Sequence, residues 1–206
     1  MKLKLKKKKL WAILAIAIII VGLIIYNATK PKPYYPNIDS PRPILGNQNA
    51  TIRIVEFSDL QCPACKLASG YPQRLVNDFG DNVSIEFKPF PLTTIHQYSY
   101  KAAQAAECAN DQGKFWEFVD LAFQNQPALS VPELKSYAKE MGLDTASFNA
   151  CLDSDAKSAI VDSYLREGYS LDIPGTPTFF VDGKQVTITT GYADLEAAVN
   201  AELSKK

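Results

Sequence analysis

Histidine is almost missing from this chain of 206 residues: His96 is the only one, and cysteine occurs four times. A cysteine pair at zinc spacing needs two more ligands at matching separations. Cys108 and Cys151 stand singly on different segments and do not complete such a set. No metal and no cofactor are therefore expected. His96 follows the Pro89–Pro91 segment and precedes a helix, where a surface or capping role fits better than catalysis. No internal repeat is present.

Acidic side chains are scarce at the start. Residues 1–43 carry nine Lys or Arg against one Asp, whereas residues 44–206 carry 13 against 21, a net of −8. An acidic domain lacks the basic patch that phosphate contacts require, which excludes nucleic acid as a partner. Charge is absent from Leu10 to Tyr26, a run of about 17 residues, or roughly 26 Å as a helix. Trp11 and Tyr26 close its two ends, where amphipathic rings prefer the headgroup level. After Ile25 no small-x-small cleavage pattern follows, and no cysteine is placed to accept a lipid. The expectation is an uncleaved single transmembrane helix over residues 10–26, with the lysine-rich tail 1–9 held in the cytoplasm. Everything after Tyr26 then lies outside the cytoplasm, beginning with a semi-rigid proline-rich spacer over 27–43.

What the chain does have is Cys62-Pro63-Ala64-Cys65, directly after the apolar run Ile52-Arg53-Ile54-Val55-Glu56-Phe57. Two thiols three residues apart at a helix start share a face and can close a small disulfide. The helix N-terminus favours the Cys62 thiolate, the reactive form, and such a dithiol passes electrons by thiol–disulfide exchange. Pro63 suits the first helical position, where its missing amide would be unpaired anyway.

The pattern predicts strands over 50–57 and 83–90 with a helix from Cys62 to about Phe79 between them, kinked near Gly70 and Pro72. Such a β-α-β unit favours parallel pairing. Helical spacing follows at Phe115, Phe118, Val119, Ala122 and Phe123, which read as core, and again at Ile160, Val161, Tyr164 and Leu165. Ser130 and Glu133 form a capping-box signature, and Asp144 is placed to cap the next helix. Strand character returns at Thr178–Val181. An Asp182-Gly183 turn, a partner strand over 185–190 and a last helix over 193–203 complete the pattern. In an exported chain the even cysteine count favours pairing, and four cysteines allow three connectivities. Cys62–Cys65 with Cys108–Cys151 is the expected one, against two buried free thiols.

Together, the strand–Cys62-Pro63-Ala64-Cys65–helix arrangement, Glu56-Phe57-Ser58-Asp59-Leu60-Gln61 before it, Ala105–Ala109 with Gln112–Trp116, and Gly175–Gly183 resemble DsbA-like members of the thioredoxin superfamily. The resemblance covers about residues 44–204. It implies an α/β thioredoxin fold in domain 44–206, with an all-helical subdomain inserted over about 96–171. It implies that Thr176–Pro177 is a cis peptide aligning substrate chains beside the sulfurs, with Pro63 and Ala64 on the same binding rim. Cys62 is then the exposed nucleophile, Cys65 the resolving thiol, and Glu56, an acid in an apolar strand, a proton relay for Cys65. A solvent-facing Glu56, or one paired with Lys88, is the plainer alternative. Ala64 stands where the best-known members have a histidine, which implies a less oxidising dithiol. Exposed apolar residues near the pair, such as Leu60, are expected to touch unfolded chains.

The implied activity is a membrane-anchored enzyme of the cell membrane, with its catalytic domain extracytoplasmic, forming disulfides in exported proteins. The implied partners are reduced or unfolded exported proteins and a DsbB- or VKOR-type membrane reoxidant. An isomerase or reductase of the same fold and a non-catalytic metal-delivery module are the rival readings.

Overall fold

A computed structural model describes residue 11, residues 16–23 and residues 43–206. The tail 1–9, the rest of the 10–26 segment and spacer residues 27–42 lie outside the described residues. Residues 16–23 are helical and expose Ile16, Ile18 and Ile19. Among the described residues no helix is long and apolar enough to cross a membrane.

In the larger unit, β1 (Ile44–Gly46), β2 (Ile52–Ser58), β3 (Val83–Pro89), β4 (Thr178–Val181) and β5 (Lys184–Val186) form one sheet in the order β1-β3-β2-β4-β5. β2 and β3 are parallel, and every other pairing is antiparallel. β2 is central and buried on both faces, which is why it reads as a nearly continuous apolar run. Its Ile52 and Ile54 pack with Leu75, Leu195 and Val199, while Val55 and Phe57 pack on the other face with Phe90 and Phe180.

Between β2 and β3 lie α1 (Pro63–Ala68), α2 (Tyr71–Phe79) and a 3₁₀ turn, Gly80–Asn82. The expected single kinked helix is thus two helices. Pro72 sits in the first turn of α2, so it has no amide to continue α1 and its ring would crowd a carbonyl one turn back. The short edge strand β1 was not expected; three residues are too few to show periodicity, and pairing to Ser84–Glu86 holds it in place. β5 stops at Val186, well before Thr190. The amides of Thr189 and Thr190 turn instead to the Asp194 carboxylate, each at 2.6 Å, just inside the next helix. The β4–β5 turn has positive φ at both Asp182 (48°) and Gly183 (77°), the geometry that matches strand twist in a two-residue hairpin.

Five helices fill the stretch between β3 and β4: α3 (Ser99–Asn110), α4 (Phe115–Gln124), α5 (Val131–Glu140), α6 (Thr145–Asp153) and α7 (Ser158–Ser170). The chain closes on α8 (Tyr192–Leu203). The Ser130–Glu133 capping box opens α5, and the Asp144 carboxylate accepts from the Ala146 and Ser147 amides at the start of α6. Phe115, Phe118 and Phe123 are buried in the helical core, and a Cys108–Cys151 disulfide joins α3 to α6 with Cα atoms 5.9 Å apart.

The sheet meets α7 through charge as well as packing. Lys88, fully buried on β3, places its ammonium 2.6 Å from Glu167 and 3.6 Å from Glu86. Glu56, on the opposite face of the sheet, is not its partner; the side-chain alternation of paired strands separates them. Gly168 allows α7 to lie against Phe90, since a Cβ there would collide with the ring.

Candidate active site

The turn after β2 is built by Asp59. Its carbonyl accepts the Cys62 amide at 3.0 Å, and its own amide points at the Cys65 sulfur, 3.4 Å away. Cys62 is the N-cap of α1 in extended conformation, Pro63 opens the helix, and the Cys62 carbonyl accepts the Lys66 amide to start the hydrogen-bond ladder. Pro63, Ala64 and Leu67 stand exposed around the pair.

Cys62 is less open than expected, only 7% exposed, because the Gly175–Thr178 loop leans over it. The Cys62 thiol donates to the Thr176 carbonyl at 3.5 Å, and the peptide that follows, Thr176–Pro177, is cis. The Thr178 hydroxyl donates to the Gly175 carbonyl at 2.7 Å and shapes the same loop. Cys65 lies one turn deeper, fully buried. Both cysteines are free thiols.

Their acidities diverge. Cys62 is pulled down to about 5, chiefly by the Cys65 thiol donating to it, with the Cys65 and Ala64 amides and the Thr176 side chain adding and burial opposing. Local donors therefore account for the shift on a helix of only six residues. Cys65 is pushed far up, first by burial and then by the hydrogen bond it gives to Cys62. One sulfur is a ready thiolate and leaving group; the other keeps its proton until the exchange demands it.

Glu56 is fully buried between Phe87 and Phe179. Neither of its carboxyl oxygens meets a hydrogen-bond partner. Burial pushes its pKa up to about 8, with the Ser58 hydroxyl on the same strand face opposing weakly. It makes no direct hydrogen bond to Cys65, but it lines a pocket of about 40 Å³ shared with Gln73, Phe87, Trp116 and Asp120. That space admits water.

Two residues change standing. Leu60 is 1% exposed and belongs to the helical core, so it offers no surface to a partner chain; Leu67, at 82%, does. The turn that carries Leu60 is stitched down from above, since the Gln126 amide donates to the Leu60 and Cys62 carbonyls at 3.0 and 2.7 Å. His96 also joins the neighbourhood, with Nδ1 2.8 Å from the Asp59 carboxylate. Neither Gln126 nor His96 carries a local signal, because Gln126 meets the turn only once the helical stretch folds over it and His96 only once β3 pairs with β2. Among the described residues no three His, Cys, Asp or Glu side chains gather into a metal-ligand set.

A CxxC pair at a helix start, facing a cis X-Pro loop on a β-α-β frame completed by an antiparallel hairpin and a last helix, defines a thioredoxin-like dithiol protein. The family model described as thioredoxin matches residues 39–201, and the chain belongs to that family. Among solved structures, a thioredoxin-like oxidoreductase from Silicibacter pomeroyi is 28% identical with a TM-score of 0.69, covering 82% of this chain and 99% of that one. BdbD from Bacillus subtilis (24% identity, TM-score 0.75, 85% and 100% covered) shares the fold. So does the thiol-disulfide exchange protein α-DsbA2 from Wolbachia pipientis (23%, 0.70, 79% and 88%). The Na(+)/H(+) antiporters NhaA 1 of Salinispora arenicola and NhaA of Herminiimonas arsenicoxydans are each 36% identical, over 82% and 75% of this chain. The chain spans about a quarter of the length of these curated relatives, 25% and 24%.

Proposed function

We propose that this protein is a membrane-anchored, extracytoplasmic thiol–disulfide oxidoreductase that forms disulfides in exported proteins. The observation that carries the reading is the opposed acidity of Cys62 and Cys65 beneath the Thr176 carbonyl. A substrate thiolate attacks the Cys62 sulfur of the oxidised pair, the Cys62–Cys65 bond breaks, and Cys65 leaves and takes a proton. A second substrate thiolate then attacks the substrate sulfur of the mixed disulfide. Cys62 departs as a thiolate, stable at neutral pH, so two electrons rest on the enzyme and the substrate keeps the new disulfide. Glu56, buried on the strand that leads into the cysteine turn and with a pKa of about 8, is the group that exchanges a proton with Cys65. Pro63, Ala64, Thr176 and Pro177 form the rim that lines up the substrate backbone. A DsbB- or VKOR-type membrane protein, the partner the family resemblance implies, returns the dithiol to the disulfide.

The exposed apolar helix over residues 16–23, within an uncharged run flanked by lysines, supports an uncleaved anchor with the catalytic domain outside. Carbonate-resistant membrane association and digestion of the domain by external protease are the expected results; a carbonate-soluble chain refutes the anchor.

The activity is tested by mixing the oxidised full chain with reduced ribonuclease. Substrate thiols should disappear as the Cys62–Cys65 pair is reduced, and Cys65→Ser charged beforehand with glutathione at Cys62 should release the glutathione and accumulate a mixed disulfide with the substrate. No transfer, or trapping only in the Cys62→Ser variant charged at Cys65 in the same way, overturns the reading. Alkylation of the pair in cells settles direction: mostly disulfide supports the oxidase, and mostly dithiol supports an isomerase or reductase.

A further inference from the structure

The Asp59 side chain is a buried carboxylate with every hydrogen bond accounted for by groups outside its own strand. It is 1% exposed, and burial of an ionised carboxylate is costly unless donors surround it. Oδ1 accepts the Gln61 amide at 2.7 Å, and Oδ2 accepts both the Leu92 amide at 2.7 Å and His96 Nδ1 at 2.8 Å. A carboxylate only accepts, so the Nδ1 position carries the proton. The imidazole is itself held: the His96 amide donates to the Leu92 carbonyl at 2.9 Å, and the His96 carbonyl accepts the Ser99 hydroxyl at 2.8 Å.

The same residue grips both cysteines through its main chain, by amide to the Cys65 sulfur and by carbonyl from the Cys62 amide. With its carboxylate fastened at three points, the Asp59 peptide groups cannot swing, and their aim at the sulfurs is set from the loop after β3. We propose that Asp59 and His96 form a positioning pair that tunes the Cys62–Cys65 dithiol, the imidazole acting through the carboxylate rather than touching the reacting sulfurs. This rests on the redox reading of the pair, and extends it to two residues outside the CxxC motif, 37 positions apart.

The consequence has a direction. Without the imidazole, the carboxylate loses a charge-assisted donor, its negative charge beside the turn is less compensated, and a thiolate on Cys62 is disfavoured. A less stable thiolate means a less stable reduced form, so the equilibrium moves toward the disulfide.

The test uses the full chain with His96→Leu, His96→Ala and His96→Asn. The Asn amide nitrogen occupies the place of Nδ1 and keeps the hydrogen bond without the ring. Two quantities are read: the pH midpoint of Cys62 alkylation in the reduced protein, and the equilibrium constant with glutathione. His96→Leu and His96→Ala should raise the midpoint by about half a pH unit and shift the constant about threefold toward the disulfide. His96→Asn should return both to the wild-type values. An unchanged midpoint in the Leu and Ala variants, or an Asn variant displaced as far as they are, overturns the proposal and leaves Asp59 and His96 as a brace for the turn. If one apolar variant loses its cooperative melt, the other is read against Asn by the same criterion. Should the wild-type pair fail to equilibrate with glutathione at all, the redox function falls, while the alkylation midpoint still decides the positioning role.

Discussion

The thiol of Cys62 faces the carbonyl of Thr176 at 3.5 Å, across 114 residues of chain. This contact brings the CxxC helix and the loop before β4 together, so the backbone edge of that loop lies directly beside the Cys62 sulfur.

The first prediction concerns the donors to that sulfur. In the reduced protein, Cys62 should be half thiolate near pH 5, with its alkylation rate level above that. Cys65→Ala removes the principal donor and should raise the midpoint by about a unit or more, whereas Cys65→Ser, which keeps a hydroxyl, should raise it less. Equal midpoints in the two variants would show that the Cys65 side chain is not the donor that matters.

Glu56 supplies the pH dependence. Its native pKa of about 8 lies above the ordinary carboxyl value of 4.5, so between those values the folded state holds a proton that the unfolded state releases. Stability from this group is full below the lower value and declines as pH rises toward the upper one. Glu56→Gln should abolish that decline and leave the variant more stable than wild type at pH 8, by roughly 4 kcal/mol, with little difference at pH 4. Urea midpoints at pH 4, 6 and 8 measure it. Substrate oxidation by the same variant should slow, and unchanged turnover would remove Glu56 from the proton path.

Lys88 is the third site. Lys88→Ala leaves the Glu167 carboxylate without its 2.6 Å ammonium partner and opens space over Phe57, at a cost of about 3–5 kcal/mol in urea unfolding. Lys88→Met, which refills the volume, should recover part of the loss. Identical losses in the two variants would assign the whole cost to charge.

The fourth prediction separates the Cys108–Cys151 bridge from the chemistry. It closes a loop of 43 residues, so Cys108→Ser with Cys151→Ser should lower stability by about 2–4 kcal/mol. The Cys62 midpoint should not move, because the bridge joins α3 to α6 and no hydrogen bond of the dithiol reaches it.

Local pattern made much of the frame legible. The apolar run at 52–57, the alternation at 83–87 and the interval between them point to parallel β2 and β3, and Asp182-Gly183 marks the hairpin, since each rests on interactions within a few residues. Misreadings fell where a distant group competes for the backbone. Asp194 takes the amides of Thr189 and Thr190 away from β5, and β1 exists only because β3 offers an open edge. Leu60 looked available because it borders the cysteines, yet the helical layer that covers it lies 40 and more residues further along.

The order of residues alone determined the reactive pair, the strand that presents it, the capped helices after it and the uncharged run at the start, because spacing and burial preference are local properties. Folding decided which groups donate to the Cys62 sulfur, how deeply Cys65 and Glu56 are buried, and that His96 reaches the Asp59 carboxylate. Those outcomes depend on desolvation and on hydrogen-bond partners brought from afar, neither of which a linear pattern records.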